Sequence, residues 1–219
     1  MNRFLEYLTV TRGLTLETIK AFELGWYDSN SSESYFESDN QELSTIVSKL
    51  DSRFEDSILF PIYDLYHQPV GITARPIIKK EKQTRYINTV YDKGKHLFGL
   101  YNNYKEILKE GKAILVEGNF DMLSLWDKGI RNVVALLGGS FSFYQLCLLL
   151  RFTEEIVICG DGDKAGRSMS QRVENFCNGR GVIFRILNLP EGKDPDSYVR
   201  EFGKESFLNL IERDPLLCI

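Results

Sequence analysis

The sequence predicts an α/β protein: an α+β amino-terminal lobe followed by an α/β domain whose sheet is largely parallel. Three observations carry this. After Lys112, apolar runs of strand length alternate with segments of helical spacing, the rhythm of parallel strands joined by right-handed crossovers. Before residue 108, two apolar runs flank a polar turn in the manner of a β-hairpin. The 219 residues, 43% hydrophobic and 26% charged, suffice for one substantial domain with a smaller lobe. No apolar run reaches the length of a membrane span, so a membrane protein is not expected.

The elements follow in order. "NRFLEYLTVTRG" and "TLETIKAFELG" read as two short helices, the second capped by Thr15 and ended by Gly25. The polar stretch Asp28 to Asn40 reads as a loop or variable insertion. From Ser57, "SILFPIYDL" and "QPVGITARPI" enclose a turn near Tyr66 to Gln68. These features define a first lobe, residues 1–108. "KAILVEG", "RNVVALLGG", "EEIVICGDGD" and "GVIFRILNLP" then read as strands, alternating with helices in "NFDMLSLWDKG", "FSFYQLCLLLRF" and "KAGRSMSQRVENFCNG". They define a domain over residues 109–190. A closing segment, residues 191–219, carries "DPD" and final helices. The start, "MNRFLEYLTVTRG", has no basic segment followed by an apolar stretch and a cleavage site, so the chain reads as intracellular.

Cys147, Cys159, Cys177 and Cys218 form no C-x-x-C pair, and only His67 and His96 are at hand as partners. No zinc site is expected, and buried free thiols are the simpler reading. The net charge of −4 argues against a generic polyanion binder. A local patch opposes the average. Arg75, Lys79, Lys80, Lys82, Arg85, Lys93 and Lys95, against Glu81 and Asp92, leave a local excess of five positive charges that can face phosphate.

Carboxylates recur where strands end: Glu117 after "KAILV", Asp161 and Asp163 after "EIVIC", and Asp194 and Asp196 past the last strand. In parallel sheets ligands collect beyond the carboxyl ends of the strands. Up to five acids are therefore expected in one crevice, where their repulsion calls for a positive charge. A divalent ion answers that need; oxygen ligands favour magnesium, with manganese as a substitute. Taken alone, Asp163 can be a helix cap, "DPD" a turn, and Glu117 a solvated strand end. Their order along the chain favours the metal.

"VEGNFD" and "GDGDKAGR" resemble the glutamate and D-x-D motifs of the Toprim domain, shared by bacterial-type primases, topoisomerases and some nucleases. The likeness extends along the chain. "YLTVTRGLTLETIKAFELGW", "SRFEDSILFPIYDLYHQPVGITAR", "RYINTVYDKGKHLFGLY" and "LPEGKDPDSYVREFGKESF" resemble, in this order, segments of the RNA-polymerase core of DnaG-type primases. The resemblance implies DNA-templated synthesis of short RNA primers for replication, by two-metal nucleotidyl transfer, in the cytoplasm of a bacterial or phage-infected cell, at the nucleoid. It implies Glu117 as the acid nearest the chemistry, Asp121 as support for its loop, and Asp161, Asp163, Asp194 and Asp196, with Glu117, as holders of Mg2+ or Mn2+. Arg75, Arg85, Asn88, Lys93 and Lys95 match positions that handle template and nucleotide triphosphate, and Arg12 and Arg53 match further basic positions.

The implied partners are single-stranded DNA, ribonucleoside triphosphates, the RNA/DNA hybrid product, a replicative helicase and a separate zinc-bearing template reader. Neither the family's zinc ribbon nor its helicase-docking module fits in this sequence, as expected of an excised core or a naturally short form. Asn119 stands where the family has Tyr, Gly139 where it has Thr and Arg85 where it has Lys, and "GITAR" lacks a glycine before its arginine. Two other classes compete: a Toprim nuclease using the same metal, and a non-catalytic relative that binds partners. The basic hairpin and "KGKHLFGL" favour the polymerase.

Overall fold

The computed structural model describes residues 3–28, 33–35, 40–78, 84–138, 141–213 and 217–218. They fall into two compact units, Met1–Asp92 and Lys93–Ile219. Lys79, Lys80, Glu81, Lys82 and Gly139 lie outside the described residues.

In the first unit, α1 (Arg3–Glu6) runs into one π-helical turn, Tyr7–Thr11, and α2 spans Leu16–Ala21. Thr15 caps α2, its hydroxyl accepting from the Thr18 N–H at 3.3 Å. Gly25 does not end that helix. α2 stops at Ala21, the chain reverses through Glu23 at φ 48°, and Gly25 opens a strand. That strand, β1 (Gly25–Asp28), pairs antiparallel with β2 (Glu33–Tyr35), so the polar stretch expected to be a loop contains a short strand. Glu33 and Ser34 carry no apolar strand pattern, and pairing with β1 decides the conformation.

α3 (Gln41–Val47) follows, capped by Asn40. β3 (Ser57–Tyr63) and β4 (Pro69–Pro76) make the expected hairpin, with β5 (Ile87–Asn88) beside β4. The turn is closed by the Asp64 carboxylate, which accepts from the N–H groups of Tyr66 and Gln68 at 2.8 and 2.9 Å. Leu43 and Val47 of α3 pack with Phe54 against Leu59, Ile72 and Ala74, which gives the sheet β2-β1-β3-β4-β5 one buried face.

The second compact unit begins at Lys93. Phe98 bridges Ala135, and α4 (Leu100–Glu110) packs on the following sheet. This long-range pairing assigns residues 93–108 to the second unit, and no local pattern announces it. β6 (Lys112–Val116), α5 (Asn119–Asp127), β7 (Val133–Ala135), α6 (Phe143–Leu149), β8 (Glu155–Cys159), α7 (Lys164–Cys177) and β9 (Ile183–Leu187) alternate as the sequence predicts. α8 (Pro195–Arg213) bends at Gly203, packs on α5, and is followed by β10 (Leu217–Cys218). The sheet order is β10-β9-β8-β6-β7, parallel except for β10. β6 and β8 consist almost wholly of buried aliphatic residues, as strands covered on both faces must.

Candidate metal and nucleotide site

The chain leaves β6 for β7 on one side and then returns to place β8 on the other side of β6. Such a reversal opens a crevice at the carboxyl ends of the two central strands. Val116 lies opposite Cys159, so Glu117 and the loop Gly160–Asp163 leave the sheet at one edge. Cys159 in turn lies opposite Leu187, which brings the segment from Asn188 to Asp196 to that edge as well. Strand register alone thus gathers three motifs far apart in sequence.

Backbone hydrogen bonds lock two of the loops together. The Gly162 N–H donates to the Lys193 carbonyl at 2.7 Å, and the Gly192 N–H to the Gly162 carbonyl at 3.3 Å. A Cβ on Gly162 would come within 2.2 Å of the Pro190 carbonyl oxygen, and one on Gly166 within 2.2 Å of the Asp161 backbone. The glycines of "GDGDKAG" are thus required by close approach of backbone to backbone. Between these loops a crevice of about 150 Å³ is lined by Asp161, Gly162, Arg167, Ser170 and Asn188, among others.

The acids occupy distinct surroundings. Glu117 and Asp161 are half-buried, and Asp163 is exposed. Asp163 caps α7, its carboxylate accepting from the Gly166 N–H at 2.8 Å. Asp194 accepts from the Ser197 N–H at 2.7 Å. Asp196 is buried, accepts from the Ser124 hydroxyl at 2.6 Å and lies 3.8 Å from Arg200. Asp121, in the first turn of α5, is only 8% exposed and accepts from the Asp196 N–H at 3.3 Å. Burial first, and then the charges of Asp161 and Asp194, push Asp121 up to about 8; the Asp196 N–H opposes the rise. Asp161, Asp194 and Asp196 are therefore near enough to Asp121 to act on it.

Among the described residues no group of three or more His, Cys, Asp or Glu side chains is disposed to hold a metal ion. Asp163, Asp194 and Asp196 are each turned toward a local donor. The donor set still suits a hard divalent cation, being all carboxylate and placed at one sheet edge. The Asn119 amide, 3% exposed beside this edge, has a buried Nδ2 with no hydrogen-bond partner among the described residues. Sequence reasoning misses Ser124, although its position three residues after Asp121, on the same face of α5, is a usable signal.

The basic residues divide between the units. In the first, the Arg12 guanidinium donates to the Tyr7 hydroxyl at 3.1 Å and lies 5.5 Å from that ring's centre. Arg75 donates to the Tyr86 hydroxyl at 3.2 Å and lies 5.5 Å from its ring. Arg53 chelates Asp51 through Nε and Nη2, at 2.9 and 2.8 Å, and its side chain is 69% exposed. Arg85 is exposed, and the Asn88 side-chain Oδ1 accepts from the Thr73 hydroxyl at 2.8 Å. In the second unit, Lys93 is half-buried, while Lys95 is exposed with its ammonium 5.6 Å from the Tyr144 ring. Cys159 and Cys177 are buried free thiols and Cys147 an exposed one.

Comparison with known proteins adds to this geometry. Residues 1–104 match the family described as "DNA primase catalytic core, N-terminal domain", and residues 114–199 match "Toprim-like". A DNA primase of Aquifex aeolicus is 37% identical over 96% of this chain and 45% of its own length. The chain spans between a third and just under half of the curated relatives it matches first. A DNA primase domain from Pseudomonas aeruginosa is similar over 99% of this chain and 73% of its own, at 30% identity and a TM-score of 0.79. A DnaG primase catalytic domain solved bound to single-stranded DNA is similar over 98% and 72%, at 28% identity and a TM-score of 0.78.

Proposed function

The chain belongs to the DnaG-type DNA primase family, as its catalytic core, and from that premise we propose that it joins ribonucleotides into short RNA primers on single-stranded DNA. The observation that carries the reading is the register of β6, β8 and β9, which brings Glu117, the "DGD" loop and the "DPD" loop to the same carboxyl end of the sheet. Glu117, Asp161, Asp163, Asp194 and Asp196 would hold two Mg2+ ions, with Mn2+ as a substitute. When bound, such ions neutralise charge developing on phosphoryl oxygens and lower the pKa of an attacking hydroxyl.

Glu117 is the base: it accepts the proton of the primer's 3′ hydroxyl as that oxygen bonds to the α-phosphorus and pyrophosphate leaves. Asp121 positions the Glu117 loop from within α5. The likeness to the family assigns Arg75, Arg85, Asn88, Lys93 and Lys95 to the handling of triphosphate and template, and Arg12 and Arg53 to further basic positions; such cations suit phosphate. The product is an RNA/DNA hybrid. A replicative helicase and a zinc-bearing template reader are the partners such a core would work with.

The test is incubation with single-stranded template, labelled ribonucleotides and Mg2+ or Mn2+. Labelled oligoribonucleotides that disappear with Asp161→Asn, at unchanged circular dichroism, support the reading. Shortened DNA would replace it with a Toprim nuclease, and no product under either ion would contradict it.

A further inference from the structure

α6 carries buried residues on one side, Leu146 and Leu149, and on the other exposes two adjacent aromatics, Phe143 at 58% and Tyr144 at 62%. Two consecutive exposed aromatics beside a pair of lysines offer a surface for contact. Their setting indicates with what. Phe98 pairs antiparallel with Ala135, the last residue of β7, so the turn Lys93–Lys95 lies past the carboxyl end of that strand.

The first turn of α6 is fastened to the same place. The Gln145 amide donates to the Lys93 and His96 carbonyls at 3.0 and 2.8 Å, and the Ser142 hydroxyl donates to the Gly94 carbonyl. β7 is parallel to β6, with Ala135 opposite Val116, so this edge is the one that Glu117 also leaves. Lys95 stands over Tyr144, and an ideal Cβ on Gly138 would sit 3.9 Å from the Lys93 side chain.

We propose that Phe143 and Tyr144, braced by the Lys93–Lys95 turn, form a stacking platform on which bases of single-stranded nucleic acid rest while the lysines meet its phosphates. The inference rests on the template-directed reading and deepens it by assigning a base-contacting surface. Every base offers a π face, and every nucleotide a phosphate, so flat rings beside ammonium groups match a single strand without reading its sequence. A protein helix would need a matching apolar groove, whereas the lysine-bearing turn beside these rings suits a phosphate backbone.

The test is binding of a labelled pyrimidine oligodeoxynucleotide and of an abasic strand of the same length, measured by anisotropy without divalent ions. The wild-type chain should bind the base-bearing strand on the order of tenfold more tightly, a preference that a Phe143→Ala, Tyr144→Ala double variant should abolish. A Phe143→Trp, Tyr144→Trp variant, which keeps the rings, should restore it. Lys95→Ala should flatten the salt dependence for both strands equally.

Equal preference in wild type and alanine variant overturns the platform while leaving the template reading intact. Failure of the wild type to bind either strand removes both together. A wild type that sediments as a dimer, with the alanine variant monomeric and base preference unchanged, would assign the face to a second copy of this chain and overturn the inference.

Discussion

The acidic edge of the second unit and the basic residues of the first are built by opposite means. Topology sets the acidic edge: strand register brings Glu117 and two distant loops together, and backbone hydrogen bonds, with glycines at van der Waals limit, fix the loops. The basic residues Arg12, Arg53 and Arg75 are set one by one, each guanidinium settled on a neighbouring aromatic ring or carboxylate. The contrast teaches where each kind of change should register. At the acidic edge a single methyl group disturbs the fold and the chemistry together, whereas truncating a basic side chain removes its own hydrogen bond, ring interaction or phosphate contact and leaves the fold in place.

The largest expected effect is on catalysis. Asp161→Asn should reduce metal-dependent primer synthesis by about a thousandfold or more with the fold intact, since charge stabilisation at such sites is worth several kcal/mol. Retained synthesis would erase the distinction between the two regions. Next is Gly162→Ala, whose Cβ would meet the Pro190 and Lys193 carbonyl oxygens at 2.2 and 2.8 Å. It should destabilise the chain by about 1–3 kcal/mol in urea melts, the cost of overpacking a closed site.

Among the basic groups, Lys93→Ala with Lys95→Ala should lower the slope of log affinity against log salt for single-stranded DNA by about 1.4, if each lysine meets one phosphate. Stability should stay within about 0.5 kcal/mol of the original, as for other surface changes. The smallest effect is chemical. Burial pushes the Cys177 thiol up to about 11, so it should resist alkylation at pH 8 while the exposed Cys147 reacts, as peptide mass mapping would show.

The same contrast governs what the sequence discloses. The alternation after Lys112, the hairpin at Tyr66 to Gln68 and the Thr15 cap are local patterns, and each is present in the structure. β2 escapes a sequence reading because pairing with β1 overrides its polar composition, and the end of α2 escapes it because Glu23 takes the left-handed turn that Gly25 was expected to serve. Residues 93–108 join the second unit through a bridge between Phe98 and Ala135, a partnership without a local signature. At the site, the positions of the acids at strand ends are legible, because register follows from apolar strands of similar length. The hydrogen bonds that turn Asp163, Asp194 and Asp196 aside are not, since they depend on side-chain geometry at helix starts.

The central claim is that the acids at the β6–β8 edge bind divalent cations. Calorimetric titration of Mn2+ into the DNA-free protein and into Asp161→Asn tests it most directly. Saturable binding in the first that is lost or severely weakened in the second is the predicted result; identical isotherms for the two proteins would contradict it.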